Sequence, residues 1–357
     1  MRDFKKALLR SIAFLIVISV LSVVIITPYH LTDMTAYSDR LYRESLRGTI
    51  DYFVVGSSHS LTCLYLPIID SELNCNSYNL SGTEMTFRAR TRMLEEEIDK
   101  NPIKTVVFEI SYNALQRSTY SGESNYKTVH RLATEKDRLE FLIKNETLSN
   151  YDIIYAEGLY TGVYTWERIA KLLYKNFGSD NIVDIIKNGC TNYCWNKTGY
   201  IRKTCNNLTI TEDVSGLYNS TAYSEDYNKD NFEQIEKMVE LCREANANVI
   251  FVVTPIADCL IWKTNNLDAF YSCMTELAEK YNSSLYDFNL LKCRYDILND
   301  EESFSDECHM CETSAKAFTQ VYCDVMNKVN AGEDVSDMFY SSYSEMKADS
   351  PYWAYVQ

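Results

Sequence analysis

Tyr52-Phe53-Val54-Val55-Gly56-Ser57-Ser58-His59-Ser60 reads as a strand that runs into a turn. A short, unbroken apolar run stopped by a glycine is what a parallel strand buried on both faces looks like. The same signature returns further along. Ser77 to Leu80 makes a second, shorter strand and Thr105 to Ile110 a third. Asn248 to Val253 is a fourth, ended by Thr254-Pro255, and Ser284 to Phe288 a fifth. Helical spacings lie between them. Met85, Ala89, Met93, Leu94 and Ile98 predict a helix over 84–100, entered through Ser81-Gly82-Thr83-Glu84 and closed by Pro102. The entry has the S-x-x-E form of a capping box. Ile235, Met238, Val239 and Cys242 share one face of a helix over 231–244, and further helices are expected over 266–281 and 312–329.

Strands alternating with amphipathic helices predict an α/β fold with a mainly parallel five-stranded sheet covered on both faces. Ligands in such sheets bind beyond the carboxyl ends of the strands. From 114 to 230 the alternation is lost, apart from helix-like patches near 135–144 and 164–175. The expected organisation is therefore an N-terminal segment over 1–30, a polar connector over 31–48, an α/β body from 49–113 and 231–330, an insertion over 114–230, and a C-terminal tail over 331–357.

The chain has 357 residues, 46% of them hydrophobic and 24% charged, which suits an ordinary globular body with a sizeable insertion. A net charge of −15 would repel phosphates and excludes nucleic acid as the expected partner. The N-terminus carries a separate signal. Arg2, Lys5, Lys6 and Arg10 precede an uncharged, mostly apolar stretch from Ser11 to Tyr29, a length that can span a bilayer when tilted. Basic residues ahead of it would hold the tail in the cytoplasm and place the body outside. The run ends Ile25-Ile26-Thr27-Pro28-Tyr29 without a small-residue cleavage site, so a retained signal anchor is expected rather than a cleaved peptide.

The sequence holds twelve cysteines. An even number outside the cytoplasm invites disulfides, and Cys190, Cys194 and Cys205, in a polar stretch, are the better candidates. Cys308-His309-Met310-Cys311 places soft metal ligands together, with Cys190-x-x-x-Cys194 as a distant second pair. A metal there would occupy His309, so that reading excludes the next one.

A serine just past a strand end needs a base to become a nucleophile. The chain has four histidines: His30, His59, His130 and His309. His30 sits beside the apolar stretch, and His130 lies in the insertion without a nearby acidic motif. His59 adjoins Ser58, and adjacent side chains diverge. His309 remains, with Asp306 three residues earlier to fix its tautomer.

Taken together, these blocks resemble the SGNH (GDSL-like) hydrolase superfamily. Gly56-Ser57-Ser58 matches its G-x-S block, Gly82 its second-block glycine, Asn113 in Ser111-Tyr112-Asn113-Ala114 its third-block asparagine, and Asp306 with His309 its D-x-x-H block. Ser57 departs from the usual Asp, and the third block lacks the Gly and Asp of G-x-N-D. Envelope relatives with an N-terminal anchor, of the teichoic acid D-alanylation and polysaccharide O-acetylation type, have similar G-S-S openings. The resemblance implies a flavodoxin-like three-layer sandwich and a catalytic set of Ser58, His309 and Asp306. It also implies an oxyanion hole formed by the Ser58 and Gly82 N–H groups and the Asn113 amide, with no cofactor. Gly82 is expected in the first turn of the 84–100 helix, where N–H groups are unpaired. The expected activity is that of a membrane-anchored serine esterase or O-acyltransferase on a cell-envelope glycan or teichoic-like polymer, with a membrane acyl-transfer partner. Tyr155, Tyr160, Tyr164, Trp166, Tyr193 and Trp195 in the insertion could wall a sugar groove or simply form a half-buried cap. The alternative is a non-catalytic envelope scaffold with the same fold.

Overall fold

The computed structural model describes residues 4–7, 9–18, 40, 42–112, 114–116, 128–129, 131–145 and 227–350. Within them, β1 (Tyr52–Val55), β2 (Ser77–Asn79), β3 (Thr105–Glu109), β4 (Asn248–Val253) and β5 (Ser284–Asp287) form one sheet. Its order is β2-β1-β3-β4-β5, and every pairing is parallel. Parallel neighbours require crossovers, and the helices that supply them cover both faces.

Alternation along each strand divides the core. Phe53, Val55, Val106, Phe108, Phe251 and Val253 point to one face and pack with the helices Phe87–Glu97, Lys229–Glu244 and Leu267–Lys280. Tyr52, Val54, Val107, Ile250 and Val252 point to the other, under the helices Leu66–Leu73 and Glu312–Asn330. The last helix lays Phe318, Tyr322, Val325 and Met326 on that face. The Tyr322 hydroxyl lies 2.5 Å from that of Tyr52, so the polar tips of two buried rings satisfy each other.

The helix expected over 84–100 begins later. Thr86 is the N-cap, its hydroxyl accepting the Ala89 N–H, and the helix runs Phe87–Glu97 with a 3₁₀ turn over Ile98–Lys100. Ser81 does not cap because its hydroxyl faces Ser60 Oγ at 2.7 Å. Glu84 takes a left-handed φ of 54°, inside a turn closed by Met85 N–H to the Gly82 carbonyl at 3.2 Å. Gly82 therefore sits in a loop before the helix, not in its first turn.

In the connector, residues 42–46 are helical and Arg43 is fully buried. Arg43 bonds Glu97 at 3.1 Å and Glu96 at 3.4 Å, and Arg47 bonds Glu97 at 2.7 Å. Burial pushes the Glu97 carboxyl up, but the Arg47 hydrogen bond and the charges of Arg43 and Arg47 outweigh it and hold it below the usual range. In the C-terminal segment, Tyr343 and Met346 are buried. Residues 9–18 are helical, with Phe14, Leu15, Ile16 and Val17 exposed. Residues 19–39, over which the expected 11–29 span continues, lie outside the described residues, and among the described residues no helix is long and apolar enough to cross a membrane.

Candidate functional site

Ser58 is the first residue of a short helix, Ser58–Cys63, separated from the end of β1 by Gly56 and Ser57 alone. Ser57 is its N-cap, with an extended backbone and a hydroxyl that accepts the His59 N–H at 3.2 Å. Gly56 makes the turn possible. A Cβ there would stand 2.6 Å from Glu109 Oε2, 2.7 Å from Glu109 Cβ and 2.7 Å from Ser60 Oγ. The nucleophile-like serine is thus carried on a turn that admits no side chain at the preceding glycine.

His309 arrives from the other end of the chain on a small antiparallel hairpin, β6 (Phe304–Asp306) and β7 (His309–Met310). The loop after β4 clamps that hairpin. Ala257 N–H bonds the Glu307 carbonyl at 2.9 Å, and Lys263 pairs with the Glu307 carboxylate at 2.7 Å. Asp300 supports the same loop from below, its two oxygens accepting the Asp258 and Cys259 N–H groups at 2.7 and 2.8 Å.

The result is a continuous chain of polar atoms. Asp306 Oδ1 lies 2.6 Å from His309 Nδ1, and His309 Nε2 lies 2.8 Å from Ser58 Oγ. An ionised carboxylate can only accept, so the proton sits on Nδ1 and Nε2 presents a lone pair to the serine hydroxyl. Asp306 Oδ1 also accepts the Cys308 N–H at 3.1 Å, which fixes the carboxylate from behind. Ser58 is 9% exposed, and the His309 and Asp306 side chains 21% and 48%. The hydroxyl is therefore sheltered while the carboxylate meets solvent. His59 packs edge-on to the His309 ring, with centroids 5.6 Å apart. It walls the His309 ring.

Both ring nitrogens of His309 are engaged by Ser58 and Asp306, which counts against the metal reading of Cys308-His309-Met310-Cys311. Cys311 is disulfide-bonded, which takes its sulfur out of any such ligand set. Among the described residues no group of three or more His, Cys, Asp or Glu is placed to hold a metal ion. The expected disulfide candidates Cys190, Cys194 and Cys205 lie outside the described residues. Cys63, at the end of the Ser58 helix, is buried, and desolvation pushes its thiol up to about 12. It does not compete as a nucleophile.

The structure brings Ser58, His309 and Asp306 together. Gly82 is placed on the loop after β2, joined to the Ser58 helix by the Ser60–Ser81 hydroxyl contact. Asn113, His30, His130 and the insertion aromatics lie outside the described residues. Two supporting residues escape the sequence reading. Glu109, fully buried at the end of β3, accepts the Ser57 N–H at 2.7 Å and the Ser57 hydroxyl at 2.9 Å. Arg131, near the start of the insertion, donates from Nη1 to the Leu80 and Ser81 carbonyls at 3.1 and 2.8 Å and so braces the Gly82 loop. A carboxylate ending the apolar run Thr105-Val106-Val107-Phe108 is a visible signal for the first; nothing local marks the second. In comparison with known proteins, no family model and no curated sequence matches the chain, so a functional reading rests on this geometry.

Proposed function

We propose that the chain is a serine esterase or O-acyltransferase of the SGNH type, acting through a Ser58 acyl-enzyme. The observation that carries the reading is the unbroken carboxylate–imidazole–hydroxyl chain at 2.6 and 2.8 Å, set beyond the carboxyl end of β1. Three groups from segments some 250 residues apart meet at hydrogen-bond distance in the order that base catalysis requires.

His309 Nε2 takes the Ser58 proton as Oγ attacks the carbonyl carbon of an ester. The π bond's electrons move to the carbonyl oxygen, where the backbone N–H groups of Ser58 and Gly82 receive the charge, with Asn113 as the side-chain donor. Ser58 N–H belongs to a first helical turn, whose N–H groups lack intrahelical partners. Collapse of the intermediate breaks the bond to the leaving alcohol, which takes the proton from His309. The acyl-Ser58 ester then passes to water in an esterase, or to a sugar or polyol hydroxyl in a transferase, with His309 removing the proton of that acceptor. Both outcomes leave the enzyme unchanged.

The basic, apolar N-terminal segment supports placing this chemistry outside the cytoplasm, against a cell-envelope glycan or teichoic-like polymer, with a membrane acyl-transfer partner supplying the donor. Recovery of the intact N-terminus in the membrane fraction tests that placement; a mature chain starting near residue 30 would contradict it. The catalytic reading is tested by labelling the purified protein with a fluorophosphonate probe beside Ser58→Ala. Covalent labelling of the parent alone is expected. A folded parent that takes no label is the result that leaves a polymer-binding scaffold instead.

A further inference from the structure

Glu109 has no part in the acyl-transfer steps above, yet it is bonded to the residue that precedes the nucleophile. It ends β3 with no exposure to solvent. A carboxylate in such a place is costly unless hydrogen-bonded. Its Oε2 spends both of its bonds on Ser57, one to the N–H and one to the hydroxyl, at 2.7 and 2.9 Å. Oε1 is buried with no hydrogen-bond partner among the described residues. The side chain also fills the space that a Cβ at position 56 would need. From Ser57 the network continues. Ser60 Oγ lies 2.9 Å from the Ser57 carbonyl and 2.7 Å from Ser81 Oγ, and Ser81 N–H bonds the Asn79 side chain at 3.0 Å. One buried carboxylate thus anchors a polar floor beneath the ends of β1 and β2.

We propose that Glu109 is a positioning residue for acyl transfer: by holding the Ser57 N–H and hydroxyl it sets where Ser58 Oγ stands against His309 Nε2. The inference rests on the reading of Ser58 as nucleophile and adds a residue which that reading does not assign. A group that only supported the fold would change melting and leave the reactivity of the folded fraction alone. A positioning group changes kcat and spares KM, because the substrate still binds while the attacking atom is displaced.

The test uses the full chain, a fluorophosphonate and an activated ester, with parent and Ser58→Ala as references. Glu109→Gln keeps the volume and removes the charge. Labelling and kcat are expected to fall about tenfold to a hundredfold, with KM within about twofold. Ser57→Asp alone sets two carboxylates face to face and is expected to be slower still. The pair Ser57→Asp with Glu109→Gln moves the charge across the same contact. There the Gln oxygen can accept the residue 57 N–H, while its NH2 donates to the new carboxylate. This pair is expected to regain about tenfold or more over Ser57→Asp alone.

If Glu109→Gln labels at the parent rate, or the exchanged pair is no faster than Ser57→Asp, the proposal is overturned. If Glu109→Gln loses its thermal transition, Glu109→Asp, which withdraws the carboxylate by one methylene, replaces it as the single variant, and labelling at the parent rate overturns the proposal. A parent that labels no better than Ser58→Ala removes both the proposed function and this inference. A labelled parent with indifferent Glu109 variants removes the inference alone.

Discussion

Asp306→Asn and Asp306→Ala differ in what they take from His309, and the structure orders their effects. The same oxygen, Asp306 Oδ1, accepts both His309 Nδ1–H at 2.6 Å and Cys308 N–H at 3.1 Å. In Asp306→Asn the Cys308 N–H selects the amide rotamer that keeps an oxygen there, since the flipped amide would set donor against donor. The tautomer with the proton on Nδ1 is then retained, and only the charge is lost. At close range that charge is worth between about 1 kcal/mol in water and about 4 kcal/mol near a protein surface. With the side chain half exposed, about 1.4–2.7 kcal/mol is expected, a tenfold to hundredfold slower acylation. Asp306→Ala also frees the ring to rotate and to exchange tautomers, so a further loss of about tenfold is expected. Single-turnover fluorophosphonate labelling measures both, beside thermal unfolding, which should move by less than about 1 kcal/mol because the side chain meets solvent. An Asn variant ten times slower than the Ala variant would show a flipped amide and refute the shared-oxygen argument. Rates equal to the parent in both would remove Asp306 from the site.

Gly56→Ala should cost about 1–3 kcal/mol by overpacking against Glu109 and Ser60 and slow labelling further, read by melting and by rate. Arg131→Met strips two buried carbonyls of their donor and should lower the unfolding free energy by about 2–4 kcal/mol in urea titrations; an unchanged midpoint would show that the Gly82 loop needs no brace. Burial raises the Asp287 carboxyl to about 6 against the pull of Tyr343 and Asn289. Its contribution is therefore fully present below the ordinary carboxylate range and is lost as pH rises through 6, a swing of about 3 kcal/mol. Asp287→Asn should flatten the urea-measured stability between pH 4.5 and 7.5 by about 2 kcal/mol, the part of the swing that falls in that window, and a slope identical to the parent's would contradict the shift. Asn113→Ala should cost about 10²–10³ in acylation if its amide serves the oxyanion, with melting unchanged.

The sheet was legible because strands buried on both faces leave continuous apolar runs, as in Tyr52–Val55 and Asn248–Val253. The start of the Phe87 helix was not, although its S-x-x-E pattern was present. A capping pattern shows that a hydroxyl is available; it does not show that Ser60, twenty-one residues back, has already taken it. The Leu66–Leu73 helix carries Pro67 at its start as its one N-terminal signal. Ser58, Asp306 and His309 could be found because few histidines compete and each stands at an element boundary. Glu109 and Arg131 act on partners about fifty residues away. Long-range pairing of that kind leaves no periodicity or spacing to read.

The arginine-rich connector has a practical bearing on where the chain can be cut. A fragment begun at Ile50 would retain every strand of the sheet and lose Arg43 and Arg47. The Glu96 and Glu97 side chains, 2% and 0% exposed, would then face the interior without their guanidiniums. Stranding one member of a buried ion pair typically costs about 3–5 kcal/mol, a large part of what holds a domain together. Such a fragment is expected to lose stability, and that loss would be mistaken for the need of a membrane. A fragment begun at Arg40 keeps the cluster whole. For crystallisation or secretion the useful boundary lies ahead of the ion pairs, not at the first strand.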